Sequence, residues 1–140
     1  MDAKYWIDTL GLEEHPEGGY YREVYRSEES VIKSSLPKRF RSKHAFATSI
    51  YYLLEYDDVS NFHRLNQDEI WHFYDGSPVQ LYTLEQKRLT VFRLGQNPSK
   101  GQLPMMVIPH GTLFAAELEN KRSYALLGCT VSPGFKFEDF

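Results

Sequence analysis

The chain has 140 residues, of which 15% are aromatic, with a formal net charge of −3 and one cysteine. That length gives a single domain, 1–140, with room for a sizeable core, and the slightly acidic balance argues against a general nucleic-acid binder, which would be basic. One cysteine allows no intrachain disulfide and points to a reducing, cytoplasmic compartment; the acid-bearing start, MDAKYWIDTLGLEEH, is no signal peptide, and no apolar stretch reaches membrane-spanning length.

Residues 2–10 read as a short amphipathic helix, with Tyr5, Trp6, Ile7 and Leu10 on one side and Gly11 stopping it. LEEHPEGG at 12–19 is a loop in which His15 needs no special role. Residues 20–25 alternate as a strand, and 27–43, with five basic residues, forms a long exposed connection. The run 46–56, FATSIYYLLEY, carries the strongest strand formers in the chain. Strands follow at 79–84, 88–94, 105–108, 112–119 and 124–132, with a tight turn at Pro109-His110-Gly111 that leaves His110 exposed. Cys129 is a small buried residue in the last strand, and the tail PGFKFEDF is expected to pair with a sheet edge. About eight to ten short strands with turns between them and one leading helix give an all-β sandwich or barrel.

The chemistry concentrates at 61–76, NFHRLNQDEIWHFYDG. Two strand runs flank a polar break, which reads as a hairpin. Strand parity puts His63 and Leu65 on one face, and Glu69, Trp71 and Phe73 together, with His72 and Tyr74 opposite. His72 is then an interface or hydrogen-bonded histidine. His63 and Glu69 are either interior groups, as metal ligands or an acid/base pair, or ordinary polar residues on a solvated face. The basic run 33–43 is either a phosphate contact or a solvated charge run. No Gly-rich phosphate loop, CxxC pair, HExxH or GxSxG occurs.

The arrangement His63, Leu65, Glu69, Gly76 resembles the first motif of the cupin superfamily, G-x5-H-x-H-x3-4-E-x6-G, with Leu65 where the second His stands. Residues 109–118 are similar to the second motif, G-x5-P-x-G-x2-H-x3-N, with Phe114 in place of the His and Leu118 in place of the Asn. HPEGGYYREVYRS at 15–27, DEIWHFYDG at 68–76 and GCTVSPGFKFEDF at 128–140 resemble the small single-domain cupins grouped as domain of unknown function 985, or cupin-5. The resemblance implies a double-stranded β-helix, or jelly roll, usually homodimeric, related in fold to dTDP-sugar epimerases, germins and phosphomannose isomerases. It supplies no activity.

Two of the four usual ligand positions are apolar, so the expectation is a site with no metal and no cofactor. The barrel mouth is expected to bind a small molecule, with Thr48, Tyr52, Trp71, Phe73 and Phe114 as ligand contacts and His63 and Glu69 as the catalytic pair. In that reading Glu69 fixes the His63 tautomer and raises its basicity. The chemistry expected is metal-free isomerisation or epimerisation of a sugar-like molecule; the alternatives are a non-catalytic binding module and, third, a metal-dependent enzyme. The strand at 20–25 is the candidate for exchange or addition in a homodimer.

Overall fold

Alternating apolar and polar residues make strands of most of this chain, and the computed structural model, which describes residues 1–140, shows where each run pairs. Helix α1 (Ala3–Leu10) leads. It is followed by β1 (Glu13–Glu14), β2 (Tyr20–Arg26), β3 (Ser30–Val31), β4 (His44–Ala45), β5 (Thr48–Glu55), β6 (Val59–His63), β7 (Asp68–Gly76) and β8 (Val79–Glu85). Then come β9 (Arg88–Leu94), β10 (Gln102–Leu103), β11 (Met105–Ile108), β12 (Leu113–Leu118) and β13 (Tyr124–Ser132).

One sheet runs β1-β2-β5-β13-β7-β11 and a second β10-β9-β8-β12-β6, with β3 and β4 a separate ribbon. The two sheets enclose the main core, a jelly-roll sandwich whose inward side chains include Leu54, Leu81, Leu118 and Leu127. The other face of the six-stranded sheet is covered locally by α1: Ala3 and Leu12 pack on Leu53 and Leu126, with Trp6, Ile7 and Leu10 around them. That is why β5 and β13 each carry a leucine doublet, one side chain per face. Asp2 starts the helix by accepting from the Tyr5 amide, and Gly11 ends it in the left-handed region, at φ 65°.

The structure corrects the hairpin expected at 61–76. β6 pairs with β12, whereas β7 pairs with β13 and β11, so the two runs lie in opposite sheets. Residues 64–67 are a crossover, with Leu65 and Gln67 buried beneath it. Placing the runs in facing sheets lets Ser60 and His63 of one and Glu69 and Trp71 of the other face one interior. The parity of β7 is as expected: Trp71 and Phe73 are buried, and His72 lies on the other face with its ring stacked beside Tyr74.

The connection 27–43 is exposed along most of its length, as expected, and is anchored by β3, by a 3-10 turn at Lys33–Ser35 and by Phe40, which is 1% exposed. One further expectation changes. The tail forms no edge strand; it folds into a 3-10 turn at Phe137–Asp139. β2 pairs with β5 of its own chain, and β1 covers it only at Tyr20 and Tyr21, so the outer edge beyond Tyr21 has no strand partner. No helix is long and apolar enough to cross a membrane.

Candidate ligand cavity

At one end of the sandwich the inward side chains stop short of each other and leave a cavity of about 410 Å³, large enough for one small ligand. β5 contributes Thr48, Ile50 and Tyr52; β7 contributes Glu69 and Trp71; β13 contributes Cys129 and Val131. Tyr21, Glu23 and Arg26 of β2 and Ser60 and His63 of β6 complete the strand-borne wall, and Leu65 joins it from the crossover. His63 and Glu69 therefore face one space from opposite sheets. Of the aromatic contacts expected from sequence, Tyr52 and Trp71 reach the wall. Phe73 and Phe114 are buried behind it, Phe114 packing its ring 4.4 Å from that of His63 and 6.2 Å from that of Trp71.

The two candidate catalytic groups have partners other than each other. Trp71 Nε1 donates to Glu69 Oε1 at 2.7 Å. Burial pushes the Glu69 carboxyl up to about 7, a rise that the indole hydrogen bond only partly offsets. His63 Nδ1 lies 2.6 Å from the Asn61 carbonyl. A carbonyl only accepts, so Nδ1 carries the hydrogen. Burial holds the His63 ring below its ordinary pKa despite that bond, so at neutral pH Nε2 is an unprotonated acceptor. The tautomer is thus fixed by backbone rather than by Glu69, and the ring is made less basic, the reverse of the expected direction. The reason is geometric: an ion pair across the cavity needs contact, and the carboxylate is instead turned along its own strand to Trp71. Burial likewise pushes the Cys129 thiol well up, which disfavours the thiolate.

A cupin metal centre does not fit these residues. Leu65 and Phe114, both buried, occupy two of the four positions that resemble ligand sites and offer no donor atom. The one group of three or more ligand-type side chains drawn together lies elsewhere, at His44, Glu138 and Asp139. Hydrogen bonds account for that group. Asp139 accepts from Gln67 Nε2 at 2.7 Å and from the Lys136 amide at 3.0 Å, and it meets His44 Nε2 at 3.0 Å, while the other ring nitrogen of His44 meets the Ser42 carbonyl at 2.8 Å.

This buried latch brings the tail to the cavity, where Phe135, Lys136, Phe137 and Phe140 form its outer wall. Lys136 Nζ donates to Ser42 Oγ at 2.8 Å, and Arg26 Nη2 donates to the Phe135 carbonyl at 3.0 Å. Neither the tail nor His15 was assigned to the site from sequence. His15 lines the cavity beside Tyr21 and Tyr52, with Nδ1 accepting from the Glu17 amide. The signal for His15 was present in HPEGG: Gly18 has φ 109° and a Cβ there would lie 2.0 Å from the Val59 carbonyl, so the loop is pressed against β6.

Comparison with known proteins agrees with this architecture. A family model, Cupin_5, described as Cupin superfamily (DUF985), matches residues 4–140. The uncharacterized protein YML079W of Saccharomyces cerevisiae (strain ATCC 204508 / S288c) is 30% identical over 144 residues, 95% of this chain and 71% of that one. Among solved structures, protein SO0799 from Shewanella oneidensis is 37% identical with a TM-score of 0.88, over 99% of this chain and 82% of that one. A hypothetical protein from Leishmania major is 31% identical with a TM-score of 0.87, over 99% and 85%. Oxalate decarboxylase from Bacillus subtilis, at 16% identity and a TM-score of 0.59 over 94% of this chain and 30% of that one, shares the fold.

Proposed function

Since the chain belongs to the Cupin_5 family of the cupin superfamily, we propose that it is a small-molecule-binding cupin that moves protons on its ligand without a metal, as an isomerase or epimerase of a small sugar-like molecule. One observation carries this reading: the cavity holds a carboxyl group, Glu69, brought to about 7 by burial, and a neutral His63 with Nε2 free of hydrogen. A group that titrates near the working pH is well matched to both taking up and giving back a proton. Tyr52 and Trp71 supply flat faces for a ring, and Thr48 adds a hydroxyl, itself an acceptor from the Phe135 amide at 2.9 Å. In this reading Glu69 and His63 stand on opposite sides of the ligand, one removing a proton beside a carbonyl while the other protonates the resulting enolate.

The test is exchange with solvent deuterium. Purified protein is incubated in D₂O with a panel of aldoses, ketoses and hydroxy-ketones, and loss of the C–H signal next to the carbonyl is followed by NMR. Exchange that is abolished by Glu69→Gln and by His63→Gln is expected. Panel members that bind without exchanging overturn the catalytic reading and leave a binding module. That second reading draws on one observation, the separate hydrogen-bond partners of Glu69 and His63. Elemental analysis finding one transition-metal ion per chain, lost on His63→Ala, overturns the metal-free part.

A homodimer belongs to the same proposal. The outer edge of β2 beyond Tyr21 is unpaired and carries exposed Val24 and Tyr25, and an open edge invites a second copy across a two-fold axis. Sedimentation showing a monomer at micromolar concentration refutes it.

A further inference from the structure

Outside the cavity, one region of the surface gathers three arginines that form no ion pair with any protein group. A second cleft, of about 460 Å³, is lined by Arg39, Arg41 and Arg64, and it shares His63, Leu65 and Phe140 with the cavity, so the two spaces adjoin. All three arginines are exposed, and none takes part in any of the ion pairs of the chain. With Glu138 and Asp139 also in its lining, the cleft sets three guanidinium groups against two carboxylates, in a protein of net charge −3.

The arginines are also pre-positioned. Arg39 donates Nε to the Asn66 carbonyl at 2.7 Å, receives the Asn66 side-chain amide on its own carbonyl at 3.2 Å and lies over the Phe40 ring at 4.9 Å. Arg64 donates Nε to the Gly111 carbonyl at 3.2 Å. In both, the terminal Nη groups have no protein acceptor, and the Arg41 side chain has no hydrogen-bond partner in the chain. The acids of the cleft direct their hydrogen bonds to groups other than the arginines: Asp139 is held within the latch, and Glu138 receives the Ser42 hydroxyl. A guanidinium fixed through Nε presents its outer N–H groups as a fork, the shape that matches a tetrahedral or planar oxyanion.

We infer that the Arg39–Arg41–Arg64 cleft is an oxyanion-binding subsite continuous with the cavity, so that the ligand is a ring-bearing organic anion of phosphate type: ring against Trp71 and Tyr52, anionic group among the arginines, with His63 and Phe140 between. The inference rests on the cavity being the ligand site and names the class of ligand it takes.

Three probes separate the parts: benzyl phosphate, benzyl alcohol and inorganic phosphate, each titrated into the protein at low ionic strength, with the methyl resonances of Ile50 and Val131 reporting occupation of the cavity. Benzyl phosphate is expected to shift both methyls and to bind at least tenfold more tightly than either half. Arg41→Gln and Arg64→Gln are each expected to weaken it roughly tenfold without changing the methyl shifts caused by benzyl alcohol, and raising the salt concentration weakens it further. Both positions are exposed, and an unchanged melting temperature checks the fold of each variant. If benzyl alcohol and benzyl phosphate bind equally and the arginine variants change nothing, the oxyanion subsite is overturned while the cavity reading survives. If inorganic phosphate binds as tightly as benzyl phosphate and the methyls do not move, the continuity of the two spaces is overturned. If none of the three binds, the inference and the cavity reading fall together.

Discussion

The same three strands build a solid half and a hollow half of the interior. At one end β5, β7 and β13 point Leu54, Phe73, Ala125 and Leu127 inward, and these pack against Val79, Leu81, Leu94 and Leu118 of the facing sheet with almost no exposure. Two to six residues along, the same faces carry Thr48, Ile50, Glu69, Cys129 and Val131, and the space between the sheets is open. The alternation that makes the strands is identical in both halves; only side-chain chemistry changes. Stability is therefore concentrated where the interior is filled, and the hollow half depends on what closes it from outside, the latched tail.

That contrast is tested most severely by Asp139→Ala. It removes one member of the pair with His44, whose two side chains are both 0% exposed, leaves His44 Nε2 without its partner and leaves Gln67 Nε2 only the Gly134 carbonyl. A loss of about 3–5 kcal/mol in chemical denaturation is expected; a loss below about 1 kcal/mol would show that the tail is not latched. Next, Leu127→Ala in the solid half should cost about 2–5 kcal/mol, and Ile50→Ala in the hollow half clearly less, because Ile50 already borders open space. Equal losses would erase the distinction between the halves.

A smaller effect is carried by pH. A carboxyl whose folded-state pKa lies above its unfolded value costs nothing when protonated in both states. Its penalty grows as pH rises from its ordinary 4.5 toward about 7 and is complete above that. Glu69→Gln should therefore abolish a loss of stability that wild type shows across that window, and superimposable pH profiles would contradict it. The smallest change is Trp71→Phe, which keeps a ring but deletes the Nε1–H. The Glu69 carboxyl should then titrate higher than in wild type, read from its carboxyl ¹³C shift.

Much of this was legible in the sequence because it is local. The parity of Glu69, Trp71 and Phe73 follows from a regular strand, and the run of alternating segments announced the sandwich. The crossover at 64–67 was not legible, since a hairpin and a sheet-to-sheet crossing share the same local signature of two strand runs around a polar break. The partners were chosen by distant segments: β12 for one run, β13 and β11 for the other. Asp139 and His44 are 95 residues apart, so nothing local marked the latch. Glu69 and His63 were found by type, but their protonation states depend on Trp71, the Asn61 carbonyl and burial, which only the assembled interior provides.

Both tryptophans of the chain donate their indole N–H to a carboxylate: Trp6 to Asp75 at 3.1 Å and Trp71 to Glu69 at 2.7 Å. The hydrogen bond from Tyr124, foremost, holds the Asp75 carboxyl below its ordinary range, so it stays ionised at neutral pH, while Glu69 changes charge near 7. Indole emission responds to the charge beside the ring. The protein therefore contains an optical reporter for its own cavity, and in a Trp6→Phe background the fluorescence of Trp71 should titrate with Glu69 and respond to any molecule that displaces water from it.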